Sequence, residues 1–138
     1  MERKDFLKKT FAMCGLAMIP AGVLESCNKA NTAAPTNVNF TVDLSSSANA
    51  ALTNVGGYLI SNSVILIHVQ PGVFNAFSDI CTHQGCSVVY NATSDKISCP
   101  CHGGLYNPNT GAVVSGPPPS ALKQYTVTQS GSVLTIKS

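Results

Sequence analysis

The sequence predicts an all-β protein, a small antiparallel sandwich or barrel. Three observations carry that expectation. Only 10% of the 138 residues are charged while 44% are hydrophobic, whereas exposed helix faces usually carry many Lys and Glu. Eleven Gly and eight Pro punctuate the chain at spacings that suit turns between short strands. Beyond residue 37 no apolar stripe of helical period is long enough to make a useful helix. The length suits one domain with one modest core.

The β-rich runs come in order. NFTVDL (39–44) is followed by GYLISNSVILIHV (57–69) and, after Pro71-Gly72, by VFNAFSDI (73–80). CSVVY (86–90) and KIS (96–98) are short, and AVV (112–114) lies between two turn-rich stretches, Asn107-Pro108-Asn109-Thr110-Gly111 and Gly116-Pro117-Pro118-Pro119. In QYTVTQ (124–129), Tyr125 and Val127 alternate with Gln124, Thr126 and Thr128, the period-two pattern of a half-buried strand. Gln129-Ser130-Gly131-Ser132 is expected to turn the chain into the last run, SVLTIK (132–137). His68 has no ligand pattern around it and reads as a strand histidine; Tyr58, Tyr90 and Tyr125 read as core or sheet residues. Asn39-Phe40-Thr41 and Asn91-Ala92-Thr93 match glycosylation sequons and are expected to be bare in a bacterial exported protein.

The first 37 residues read as an address and a linker. MERKDFLKKT (1–10) is charged, and FAMCGLAMIPAGVL (11–24) is a run of fourteen uncharged, largely apolar residues, the pattern of an export signal. Roughly 20 apolar residues are needed to span a bilayer. Arg3-Lys4-Asp5-Phe6-Leu7-Lys8 resembles a degenerate twin-arginine signal, with the general secretory route as the alternative. Leu24-Glu25-Ser26-Cys27 resembles a lipobox, so residues 1–27 are expected to be the signal and Cys27 the lipidated residue. Cleavage nearby, or a retained signal anchor, is the alternative. NKANTAAPTN (28–37) is then a flexible linker between membrane and domain, and residues 38–138 form the domain. Cys14 has no assigned role. From Val38 onward the charged residues are Asp43, Asp79, Asp95, Lys96, Lys123 and Lys137, three of each sign, so the net +2 comes from the first 37 residues. A neutral domain has no basic field for phosphate backbones, which argues against nucleic acid as a partner.

Four of the six cysteines and two of the three histidines sit in CTHQGC (81–86) and CPCHGG (99–104), with twelve residues between. Cys81 and His83 are two apart; Cys99 and His102 are three apart. Each pair is short enough for one tight loop to present both side chains to one centre, and Gly85, Gly103 and Gly104 allow the backbone conformations such loops need. A structural zinc site would accept two sulfurs and two nitrogens, although these spacings differ from the usual C-x₂₋₄-C and H-x₃₋₅-H. A pure disulfide framework leaves both histidines unused. A Cys–His nucleophile needs one of each and leaves the duplication unexplained. A metal cluster that takes both nitrogen and sulfur uses all four.

C-x-H-x-G-C, twelve residues, then C-x-C-H-G resembles the Rieske iron–sulfur family in its disulfide-bearing branch. Tyr106, Gly111, the Gly116–Pro119 turn and Leu122 extend the likeness. The resemblance implies a [2Fe–2S] cluster with Cys81 and Cys99 on one iron and His83 and His102 on the other. It implies a disulfide between Cys86 and Cys101 and a proline loop, Gly116, Pro117, Pro118 and Pro119, covering the third side of the cluster.

Neutral imidazoles in place of two thiolates make the cluster less negative, so Rieske centres lie at roughly −150 to +300 mV against about −400 mV for plant-type ferredoxins. Each bound imidazole keeps a second nitrogen whose affinity for a proton rises on reduction, and the pair titrates as a unit. The resemblance makes His83 and His102 the expected contacts for a quinol or partner. Hydrogen bonds to cluster sulfurs tune the potential. High-potential members carry a serine after the second motif and a tyrosine two positions later. Here Tyr106 is present and Gly104 holds the serine position, which predicts a lower potential and a rise in the variant Gly104→Ser. Gln84 stands where quinol-oxidising members carry a shielding leucine.

The expected function is one-electron transfer as the iron–sulfur subunit of a quinol-oxidising, cytochrome bc-type complex, with cytochrome b and a c-type cytochrome as partners, on the periplasmic side of a bacterial membrane. The alternatives are a free or lipid-anchored periplasmic carrier for another oxidoreductase, similar to the arsenite-oxidase small subunit, and a zinc-stabilised binding module.

Overall fold

The structure, a computed structural model, describes residues 33–138. The signal, the lipobox with Cys27, Cys14 and the first part of the linker lie outside the described residues. Pro35, in the stretch read as linker, accepts a hydrogen bond from the Tyr125 hydroxyl at 2.7 Å.

Among the described residues, ten strands form two antiparallel sheets, in keeping with the period-two runs. The larger has the order β1 (Asn39–Asp43), β10 (Val133–Lys137), β9 (Gln124–Ser130), β4 (Val73–Ser78), β3 (Val64–Gln70) and β2 (Tyr58–Ser61). The smaller has the order β5 (Val89–Asn91), β6 (Lys96–Ser98), β7 (Leu105–Tyr106) and β8 (Val113–Ser115). Strand β3 shows how they share a centre. Residues Val64 to His68 are all buried, because its alternating faces point into two different cores. Ile65 and Ile67 meet Phe77, Val88, Ile97, Tyr106 and Leu122 beside the small sheet. Val64 and Leu66 meet Leu52, Ala76, Leu134 and Ile136 on the opposite face. Each aliphatic side chain removed from water in this way contributes about 1.5–3 kcal/mol before entropy is counted. A run with no polar alternation is what burial on both faces demands.

Four features differ from the sequence reading. The run 57–69 is two strands, folded at Asn62-Ser63, whose φ angles are +53° and +60°; a two-residue loop with both residues left-handed matches the strand twist, and Asn tolerates it. Ser47–Thr53 is a 3₁₀ segment kinked at Asn49, anchored by buried Leu52 and by the Asn49 side-chain amide on the Asp43 carbonyl rather than by a helical stripe. Strand β7 has only two residues, too few for any period to show. The last hairpin turns at Gly131-Ser132, between Ser130 and Val133, one residue later than expected.

His68 is a strand histidine, as expected. Its Nδ1 lies 2.9 Å from the Leu52 carbonyl and its ring stacks on Phe74 at 4.2 Å. Tyr90 is buried, meets Tyr58 edge-on at 6.3 Å and donates to Asp95. Burial, then the Asp95 carboxylate, pushes its phenol up to about 12, so it stays a donor.

Candidate metal centre

The Cys/His motifs occupy two hairpin loops of the same construction. In the first, the Cys81 amide donates to the Cys86 carbonyl and the Gly85 amide to the Cys81 carbonyl, at 2.8 and 2.9 Å. In the second, Cys99 donates to Gly104 and Gly103 to Cys99, at 2.8 and 3.0 Å. The fifth residue is in each case a glycine at positive φ, +75° for Gly85 and +72° for Gly103, where a side chain would be strained. The flanking residues pair as Ile80 with Ser87 and Ser98 with Leu105. Residues 107–112 repeat the pattern a third time: Asn107 donates to Ala112, Gly111 donates to Asn107, Gly111 has φ +75°, and Tyr106 pairs with Val113. This third loop carries no ligand-type side chain.

The two Cys/His loops meet. Cys86 and Cys101 are disulfide-bonded, which ties the sixth position of one loop to the third of the other. Cys81 and Cys99 are free thiols, 1% and 2% exposed. The rings of His83 and His102 lie edge to face with centroids 4.8 Å apart. His102 is exposed and His83 is half-buried. The Nδ1 of His83 is buried with no hydrogen-bond partner among the described residues.

Burial pushes the Cys81 thiol up, but the Tyr106 hydroxyl, the His83 amide, Cys99 and the Gln84 amide together leave it below its ordinary value. Burial and the hydrogen bond to Cys81 push the Cys99 thiol up. Of the two thiols, Cys81 is thus the more readily ionised, and Cys99 lies against it as its hydrogen-bond neighbour. The sulfurs of Cys86, Cys99 and Cys101 also lie within 4.8 Å of one another. Two of these are joined covalently, so Cys99 alone of the three keeps a thiol, and the bridge borders the donor set without belonging to it. Two buried thiols and an orphaned buried imidazole nitrogen, carried by the two joined loops, fit a metal group that takes both sulfur and nitrogen.

Tyr106 is fully buried, and its hydroxyl is a hub. It lies 3.3 Å from Cys81 Sγ and 3.0 Å from Thr82 Oγ1, and it accepts from the Thr82 amide at 3.2 Å. Thr82 Oγ1 donates onward to the Ser120 carbonyl at 2.7 Å. Thr82 therefore clasps the first loop to the proline loop. The sequence reading missed it, because its partners lie 24 and 38 residues away and no local pattern announces them. Pro118 is buried within the loop of Gly116 to Pro119, and it packs on Gly104. Gln84 is exposed, as are Pro100, Cys101 and Gly103. No charged residue occurs in 80–94 or in 97–122, so the two Cys/His loops and the proline loop contribute no Asp, Glu, Lys or Arg side chain.

Cavities of about 220 and 190 Å³ lie elsewhere, one lined by Gly72, Val73, Phe74 and Val127 and the other by Pro35, Asn37 and Phe40.

The family model for the Rieske [2Fe-2S] domain matches residues 39–126. The chain is 31% identical over 128 residues to the cytochrome b6-f complex iron-sulfur subunit of Chlorobaculum tepidum, covering 91% of this chain and 70% of that protein. It is 42% identical over 64 residues to the same-named subunit of Chlorobaculum thiosulfatiphilum, covering 46% of this chain and 34% of that one. Among solved structures, the plasma-membrane Rieske protein of Synechocystis PCC 6803 superposes with a TM-score of 0.56 at 26% identity, over 70% of this chain and 99% of that one. Among the described residues, no helix is long and apolar enough to cross a membrane.

Proposed function

The chain belongs to the Rieske [2Fe–2S] family, and on that premise we propose that Cys81 and Cys99 bind one iron of its cluster and His83 and His102 the other. It is a Rieske electron-transfer protein. When bound, the [2Fe–2S] group takes up and gives back one electron at a mildly oxidising potential. The observation that carries the ligand assignment is the orphaned His83 Nδ1, set beside the His102 ring and the Cys81–Cys99 thiol pair. With Nδ1 facing inward, Nε2 of His83 is the nitrogen that holds an exchangeable proton. His102, exposed in its loop, offers its outer nitrogen to a partner's hydrogen-bonding group.

The test is direct. Protein matured in its native host should contain iron and inorganic sulfide in equal amounts and, when reduced, give the low average g value of a Rieske centre. Its midpoint potential should fall as pH rises, because reduction draws a proton onto the imidazoles. A colourless protein holding zinc would reverse the assignment.

The relatives are named as cytochrome b6-f subunits, and the uncharged loops suit an apolar docking surface. This supports a role as iron–sulfur subunit of a quinol-oxidising complex with cytochrome b and a c-type cytochrome as partners. A second reading, a periplasmic carrier for another oxidoreductase, is favoured by exposed Gln84 at the shielding position. The N-terminal residues support export, with attachment to the membrane through a lipid on Cys27 or through the retained signal; mass spectrometry of the native N-terminus distinguishes these.

Tyr106 is proposed to raise the potential by hydrogen bonding to Cys81 Sγ. A donor to a metal-bound sulfur stabilises the more negative, reduced state. Tyr106→Phe removes it and also strips the Thr82 amide of its acceptor. A differential of about 1.4 kcal/mol corresponds to about 59 mV for one electron, so protein-film voltammetry should show a downward shift on the order of 50 mV. No shift, with the cluster intact, would remove Tyr106 from the tuning set.

A further inference from the structure

Gly104, read from the sequence as a missing hydroxyl, is in the structure a socket. A Cβ built on it would lie 2.5 Å from Pro118 Cγ and 2.8 Å from Pro118 Cδ. Both are closer than carbon atoms approach. The obstacle is a ring closed onto its own backbone, which cannot swing aside as a flexible side chain would. The contact is reinforced from the other wall. Gly116 has φ +97°, and a Cβ there would meet the Gly104 Cα at 2.8 Å and the Gly104 nitrogen at 3.3 Å. Two glycine backbones thus lie face to face, and the buried Pro118 ring fills the space where a side chain at 104 would begin. The same hypothetical Cβ would sit 3.8 Å from Cys99 Cβ, so a hydroxyl built at 104 would be within reach of the Cys99 sulfur if the ring were absent.

We propose that Gly104, Gly116 and Pro118 form one coupled positioning element, in which the proline ring takes the place of a residue-104 side chain and decides what covers the Cys99 side of the centre. The expectation that Gly104→Ser alone raises the potential is corrected accordingly: Pro118 excludes the serine, so the substitution lifts the proline loop before it supplies a donor. Residue 104 accepts a hydroxyl only when position 118 gives up its ring atoms. Pro118→Ala is the matching change, because it deletes Cγ and Cδ while the following Pro119 keeps the backbone of residue 118 extended.

This inference rests on the [2Fe–2S] reading above, and its test separates the two. Wild-type protein is first shown to carry iron, sulfide and the Rieske resonance signal, which checks that reading alone. Midpoint potential, melting temperature and rate of cluster loss are then compared for G104A, G104S, P118A, G104A/P118A and G104S/P118A. G104A and G104S should both melt lower and lose the cluster severalfold faster than wild type, with no gain in potential from serine over alanine. In the Pro118→Ala background, serine should give a higher potential than alanine at 104 and recover cluster retention. Failure of both single variants to hold the cluster, followed by recovery in G104S/P118A, supports the same conclusion. A rise in potential in G104S with wild-type melting and retention would overturn the proposal. So would G104S/P118A and G104A/P118A having equal potentials.

Discussion

Replacing His102 with alanine is expected to give a folded chain that holds no [2Fe–2S] group. The ring is exposed and touches neither core. Its loop is closed by backbone bonds between Cys99, Gly103 and Gly104, which the substitution leaves in place. Surface changes of this kind usually alter stability by no more than about 0.5 kcal/mol, so the metal-free protein should melt as the metal-free wild type does. Iron and sulfide, in contrast, should fall to background with one of the four proposed ligands gone. His68→Ala makes the opposite trade. It removes the bond to the Leu52 carbonyl and the stack on Phe74, so it should lower the melting temperature while iron content stays normal. Retention of a normal Rieske resonance in His102→Ala would sink the ligand assignment.

Loss of the disulfide should have the largest effect on stability. Cys86 and Cys101 are 15 residues apart, and closing a loop of that size restricts the unfolded chain by about 3 kcal/mol in the entropy model. For a domain near 100 residues each kcal/mol moves the melting temperature by roughly 4–8 °C, so Cys86→Ser with Cys101→Ser should melt on the order of 15 °C lower. The double substitution is the informative one. A single change leaves a new thiol whose sulfur lies within 4.8 Å of Cys99, where a wrong bridge forms easily. The bridge is the one covalent tie between the two loops, and it is reachable, since Cys101 is exposed. The doubly substituted protein should also lose its cluster severalfold faster in air, followed by its visible absorbance. Unchanged melting and unchanged retention would show that backbone bonding alone holds the loops together.

The site was more legible than the fold around it. Each Cys/His pair falls within six consecutive residues, so spacing and the glycines at 85 and 103 put Cys81 with His83 and Cys99 with His102 in one loop each; that the two pairs share one centre came with the family resemblance. The pairing of Cys86 with Cys101 came with the family resemblance and is present in the structure. Long alternating runs such as 124–129 were equally readable. What escaped was short or distant. A two-residue strand has no period, and the 3₁₀ turn at 47–53 exists because Leu52 needs a place in the core. The part of Thr82, bonded to Tyr106 and Ser120, and the Gly104–Pro118 contact are decided by residues 14 to 38 positions apart. At Gly104 this distance reversed the meaning of the residue: an apparent deficiency in the sequence is a filled space in the molecule.

The ligand-free hairpin at 107–112 bears on how the protein matures. Its closure matches that of its two neighbours, bond for bond, with no metal-binding side chain to organise it. The shape therefore belongs to the polypeptide: a glycine in the fifth place and a flanking strand pair suffice. The two Cys/His loops share that closure, so their backbone is expected to form in the metal-free chain, unlike that of small zinc modules whose folding waits for their ion.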